Sequence, residues 1–169
     1  LMIVPTVNPL VALFSAPPCE QGTQFRVALR HEGGETITRT PLQPCRSGIS
    51  NNTYVAGMRS DAEYRLRAEL VKGNKTQTGD WLPFHTGLLD GDFPPVSVAV
   101  PRSDRSPVAE PVVLRSVAAL GAGKRAFATD QDGDVIWYGR TGMLTRIVPG
   151  GHLLQIGDGL NSANTMQAR

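Results

Sequence analysis

The chain lacks any run of roughly 18 apolar residues, so a membrane-spanning helix is not expected. An excess of one charge is also missing: 17 Lys and Arg stand against 15 Asp and Glu, a net charge of +2. That charge is too small to argue for nucleic acid or an anionic membrane as a partner. Cysteine is scarce, with two in the chain, and neither stands in a CxxC pair or near a histidine at ligand spacing. Zinc is therefore not expected. The opening "LMIVPTVNPLVALFSA" has no basic region and no small-residue cleavage pattern, so no signal peptide is read. A start at Leu1 reads as a mature or truncated end, and the stop at "NSANTMQAR" looks equally arbitrary.

What the chain does have is glycine and proline, 18 and 13 in 169 residues, which favours turns and short strands over long helices. Its length suits one ordinary domain or two small ones. Cys19 in "APPCEQG" and Cys45 in "LQPCRSG" each follow a proline-containing turn. A disulfide between two loops is the preferred reading, with two free buried thiols as the alternative. A disulfide would place the protein in an oxidising compartment, periplasmic or extracellular.

Up to about residue 87 the sequence reads as strands. In "QFRVALRHEGG", Phe25, Val27 and Leu29 alternate with Arg26, Ala28 and Arg30, the period of a half-buried strand. "ETITRTPLQP" is rich in β-branched residues, and Pro41 marks an edge or a strand end. "EYRLRAELV" puts Tyr64, Leu66, Ala68 and Leu70 on one face and sends Arg65, Arg67 and Glu69 to water. "GNKTQTGD" reads as a turn-rich connector and "WLPFHTG" as a last strand. Short strands at this spacing suggest a β-sandwich. The stretch "AGMRSDAEYRLRAELVKGNKTQTGDWLPFHTG" resembles the end of a fibronectin type III domain. Met58 and Tyr64 stand where that fold places a leucine-like residue and, after a polar turn, a corner tyrosine whose hydroxyl ties back to upstream backbone; the alternative is a plain core tyrosine.

Residues 88–111 hold five prolines and read as an extended linker, partly packed through Phe93 and Val96 to Val100. "PVVLRSVAAL" reads as a buried strand, a helix being disfavoured by Pro111 and Gly121. "LGAGKR" is not a phosphate loop, because it lacks the first glycine at the right spacing and the hydroxyl residue after lysine.

"ATDQDGDVIWY" raises the question of a calcium loop. A loop of the EF-hand type needs its glycine at position 6 and a glutamate at about position 12. Counted from Asp130, Gly133 comes too early and Thr141 stands where the glutamate should. Asp132-Gly133 is instead a strong two-residue hairpin signal of type I′, with Asp130 bonding locally. A second hairpin follows, "MLTRIV" then Pro149 to His152 then "LLQIG". Two such hairpins make about one blade of a β-propeller, or its equivalent across two blades, and need neighbouring blades to cover their faces.

"ATDQDGDVIWYG" followed by "TRIVPGGHLLQIG" is similar to the first blade of the bacterial arylsulfotransferase (aryl-sulfate sulfotransferase) family. "TPLQPCRSGISNNTYVAGMRSDAEYRLRAEL" resembles the small sandwich that precedes the propeller in one branch of that family. The resemblance runs from about Asn8 to Gly157. It implies an all-β protein: a fibronectin type III-like β-sandwich over residues 1–87, a proline-rich linker over 88–111, and an incomplete β-propeller beginning over 112–169. It implies sulfuryl transfer from a phenolic sulfate donor to a phenol acceptor, with no nucleotide cofactor. In that chemistry a histidine carries the sulfuryl group while other histidines and an arginine steady its charged oxygens.

The family's catalytic histidines lie in later blades, so no catalytic, cofactor or metal residue is assigned here. The only site assigned is the structural pair Cys19 and Cys45. His31 ends an exposed strand, His85 lies at a strand end, and His152 lies in a hairpin turn. The sandwich would either shape the mouth of the active site or support homo-oligomer contacts. The alternative reading is an exported non-enzymatic binding protein with sandwich and propeller modules. The sequons Asn51-Asn52-Thr53 and Asn74-Lys75-Thr76 read as markers of exposed loops.

Overall fold

A computed structural model describes residues 1–89, 93, 96–98, 112–119, 123–139, 142–148 and 152–156. The chain divides into two compact units, Leu1–Leu89 and Asp90–Arg169. The described residues are all-β: strands, with no helix, in antiparallel sheets of which none closes.

The first unit contains β1 (Met2–Pro5), β2 (Ala12–Ala16), β3 (Gln24–His31), β4 (Thr38–Arg39), β5 (Gln43–Pro44), β6 (Asn51–Val55), β7 (Glu63–Lys72), β8 (Lys75–Thr78) and β9 (Leu82–His85). One sheet has the order β1-β2-β6. The other runs β4-β3-β7-β8, with β5 also on β3 and β9 also on β7. Period-two alternation explains how they meet. Ala12, Phe14 and Ala16 from β2 and Val55 from β6 share one buried cluster with Phe25, Val27 and Leu29 from β3 and Tyr64, Leu66 and Ala68 from β7. Phe14 and Phe25 lie 6.3 Å apart within that cluster. The dyad pattern in "QFRVALR" thus sends its apolar side inward, as expected.

Two expectations change. "GNKTQTGD" is no simple connector, because Lys75–Thr78 forms β8 against β7, with Lys72 paired to Lys75. The two-residue turn between them begins with Gly73 at φ 57°, the position where a type II′ turn favours glycine. Glu69, expected to face water, is only 1% exposed. It does lie on the outer face of β7, but arginine side chains cover it there.

The corner tyrosine is tied as expected. Met58 is fully buried, and the Tyr64 hydroxyl accepts a hydrogen bond from the Arg59 backbone N–H at 2.9 Å. Asp61 between them has φ 50°, and its N–H donates to the Gly87 carbonyl. Thr86, fully buried, fastens the same corner: its hydroxyl accepts from the Ala62 N–H at 3.0 Å and lies 2.6 Å from the Arg59 carbonyl. Tyr64→Phe keeps the ring and removes the acceptor. Urea denaturation is expected to show a loss of about 0.5–1.5 kcal/mol; an unchanged midpoint would mean that the tie adds nothing.

The second unit contains β10 (Val113–Ala119), β11 (Gly123–Thr129), β12 (Val135–Tyr138), β13 (Met143–Val148) and β14 (His152–Ile156). The order β10-β11-β12 makes one sheet and β13-β14 a separate hairpin. Residues 120–122 of "LGAGKR" lie outside the described residues, while Lys124 and Arg125 belong to β11. "PVVLRSVAAL" is a strand, but its start is not buried: Val112 and Val113 are 52% and 39% exposed. The cause is its place at the outside of the sheet, with a partner on one side only among the described strands. Ala126, Phe127 and Ala128 of the central β11 are buried, so both faces of that strand are covered. Phe93 covers part of it, edge-on to Phe127 and Tyr138 at 5.7 and 5.0 Å between ring centroids. Val96 and Val98 approach the turn at Gly133, while Ala99 and Val100 lie outside the described residues.

The hairpin at the aspartates forms, but with a longer loop than expected. A type I′ turn needs positive φ at both central residues. Here Gly133 has φ 90°, and Asp61 is the only described non-glycine residue with positive φ, so Asp132 does not take that conformation. The Gly133 N–H donates to the Asp130 carbonyl, and the Asp130 N–H to the Asp134 carbonyl at 3.0 Å. This is a three-residue loop ending in a glycine bulge.

Candidate functional site

The assigned cysteine pair is a disulfide. Cys19, after β2, joins Cys45, after β5, with Cα atoms 5.7 Å apart. It therefore bridges loops that leave the two different sheets of the first unit. Asn51 supports the same place: its carboxamide donates to the Pro17 carbonyl at 3.0 Å and contacts Cys19 Sγ at 3.3 Å, while its oxygen accepts the Arg46 N–H at 2.8 Å. Asn51 is 4% exposed, so the first sequon does not mark an exposed loop. Its side chain is consumed by loop carbonyls and amides that would otherwise be unpaired. Asn74 is exposed in the β7–β8 turn.

The contacts of His31 and His85 are to carboxylates, a carbonyl and a ring. His31 is exposed; its ring lies edge-on to Tyr64 at 5.3 Å, and Nδ1 is 2.8 Å from the Glu32 carbonyl. His85 is also exposed, between Glu63 Oε1 at 3.0 Å from Nδ1 and Asp61 Oδ1 at 3.2 Å from Nε2. Only the ring protonated on both nitrogens donates to both carboxylates at once. His152 opens β14 opposite Val148 instead of lying in the turn. The carboxylate oxygens of Asp130, Asp132 and Asp134 lie within 4.8 Å of one another. Asp130 Oδ1 accepts the N–H groups of Asp132 and Asp134 at 3.0 and 2.9 Å, so this carboxylate shapes the turn.

A dense arrangement of charge among the described residues was not read from the sequence. It lies on the outer face of the β4-β3-β7 sheet. Register places Arg26 opposite Glu69, and Ala28 opposite both Arg39 and Arg67. Directly paired residues point to the same side of a sheet, so these side chains converge. Arg26 Nε and Arg39 Nε donate to Glu69 Oε2 at 2.8 and 3.1 Å, and Arg67 Nη2 donates to Oε1 at 3.1 Å. Further along, the guanidinium groups of Arg30 and Arg67 lie over the Trp81 ring, 4.7 and 4.3 Å from its centre. Arg65 Nε pairs with Glu32 at 2.5 Å. Burial pushes the Glu69 carboxyl up, but the hydrogen bonds from Arg39, Arg26 and Arg67 outweigh it and hold it below the usual carboxylate range. The missed signal was available: arginine recurs at the outward positions 26, 30, 65 and 67 of two strands whose inward positions are apolar.

No family model matches the chain, and no curated protein or solved structure matches it. The disulfide, the corner tyrosine and the arginine face are structural or electrostatic features, and none of them brings a nucleophile to a base among the described residues.

Proposed function

We propose that the chain is the N-terminal portion of an arylsulfotransferase-like enzyme, exported to the periplasm or beyond. In this reading residues 1–87 are a fibronectin type III-like sandwich and residues from 112 begin a propeller. The observation that carries it is the order of parts: a disulfide-linked two-sheet unit, then the "ATDQDGDVIWYG" hairpin, then the "TRIVPGGHLLQIG" hairpin. The strand orders β1-β2-β6 and β4-β3-β7-β8 support the fibronectin-like reading, and so does the Tyr64 tie. The disulfide supports an oxidising compartment.

The reaction would move a sulfuryl group from a phenolic sulfate to a histidine, releasing the donor phenol, and then to the acceptor phenol, which gives up its proton and frees the histidine; one difficult transfer becomes two easier ones. The histidines for it would lie beyond Arg169, so this portion alone is expected to be inactive. The test is transfer from a synthetic phenyl sulfate to a phenol, measured on the full-length gene product and on the 169-residue chain. Turnover by the first and none by the second supports the reading. A full-length product that carries the later histidines and still shows no turnover overturns it. The second reading, an exported binding protein, is favoured by one observation, the arginine-rich outer face.

A further inference from the structure

The near-neutral net charge of the chain conceals an uneven distribution. Residues 1–89 carry nine Lys and Arg against seven Asp and Glu, while residues 90–169 carry eight of each. The surplus of the first unit gathers on the face just described, where, among the described residues, five arginines meet Glu69 and Glu32 as hydrogen-bonded carboxylates and Glu63 stands beside Arg65. Glu69 neutralises one of the three guanidiniums that converge on it. Arg26 and Arg39 remain 25% and 39% exposed. Each has only its Nε engaged with Glu69 in the contacts above, so the terminal nitrogens are left for a second acceptor.

We propose that this face binds a linear polysaccharide that carries carboxylate groups, a polyuronate, outside the cytoplasm. The ligand chemistry is argued from Glu69 itself. Its carboxylate shows how three planar guanidiniums on adjacent strands take a carboxylate, and Arg presents such forks at fixed positions on a rigid sheet. The polymer class follows from what the face does not offer. β3 and β7, which carry four of the five arginines, are both flanked by other strands, so a peptide does not reach these side chains by adding a strand to them. Trp81, the large aromatic residue on the face, is already covered by Arg30 and Arg67, so an acidic peptide finds no open pocket there for an apolar anchor. A flat array of cations suits a chain of repeated carboxylates and hydroxyl groups. The disulfide places that encounter in an oxidising space. The proposal does not depend on sulfuryl transfer.

The test uses the full 169-residue chain and three probes: alginate, poly-L-glutamate of similar charge, and neutral dextran. Calorimetric titration at low salt is expected to show binding of alginate, weaker binding of poly-L-glutamate and none of dextran, with affinity falling as salt rises. Arg26→Gln and Arg39→Gln are each expected to lower alginate affinity by about three- to tenfold. Glu69→Gln removes the internal competitor and is expected to raise affinity by a similar factor. A purely structural cluster would lower stability in all three variants without moving affinity in opposite directions. Circular dichroism confirms that each variant is folded, and Arg30→Gln, outside the Glu69 cluster, gives a second reading of the loss. Binding of poly-L-glutamate as tight as that of alginate overturns the proposal in favour of an acidic protein partner. No alginate binding, or binding that none of these substitutions changes, overturns it outright.

Discussion

Loss of the Cys19–Cys45 bond is expected to cost the first unit about 3–4 kcal/mol. The sequence separation is 26 residues, and a crosslink of that span removes a substantial part of the freedom of the unfolded chain. The bond also joins loops from two different sheets, so its loss frees the sheets at the end where it stands. Asn51 holds the same loops, but one carboxamide replaces only a few hydrogen bonds, each contributing about 1 kcal/mol net. For a unit of this size, 1 kcal/mol moves the melting temperature by about 4–8 °C. Scanning calorimetry of Cys19→Ala/Cys45→Ala, or of the protein in reductant, should show the transition of the first unit lowered by roughly 12–30 °C. The second unit contains no cysteine, so its transition should stay where it is. A shift of only about 2 °C would mean that the Asn51 network and the shared core already fix these loops, and that the crosslink constrains little.

How much of this was legible depends on what each residue signals alone. Phe25, Val27, Leu29, Tyr64, Leu66 and Ala68 declare their face by alternation, and the core is built from them. The Tyr64 tie could be expected because its partner lies five residues upstream on the same corner. β8 could not be read in the same way. Lys75 to Thr78 is exposed at every position and shows no apolar face, and only its pairing with β7 makes it a strand. The aspartate turn was half legible. Asp-Gly announces a hairpin, but the loop length was settled by Asp130, whose carboxylate caps two amides and shifts the register beside it. Asn51 looked like a surface sequon because a triplet carries no information about loops that fold over it.

Glu69 was the largest miss, and alternation was not at fault. It correctly sent Glu69 outward, but it says nothing of what covers the outer face. Arg26 lies 43 residues away in sequence and Arg39 lies 30 away, and only the register of β3 on β7 and of β4 on β3 brings them together.

That arrangement carries the second large expected effect. Glu69→Ala should destabilise the first unit by about 2–3 kcal/mol near neutral pH. Removing one partner of a fully buried pair typically costs about 3–5 kcal/mol. The figure is lower here because Arg26 and Arg39 keep partial access to water, which screens them once the carboxylate is gone. The pH dependence gives the sharper check. The folded Glu69 carboxyl is held below its unfolded value, near about 4.3. Its contribution is therefore complete above that value and is lost as pH falls through the lower, folded value. Urea midpoints for the native protein should fall as pH drops from about 5 towards about 3, more steeply than those of Glu69→Gln, and the two curves should converge in acid. Glu20 and Glu32 are held low as well, by Lys72 and Arg65, but both are exposed and remain in both proteins. Parallel curves would show that the Glu69 charge is not what the three arginines require. The Gln variant should also lose stability while gaining affinity for a polyuronate. A cluster present only to hold the sheet has no reason to produce that pairing, whereas a cation array partly silenced by its own carboxylate does.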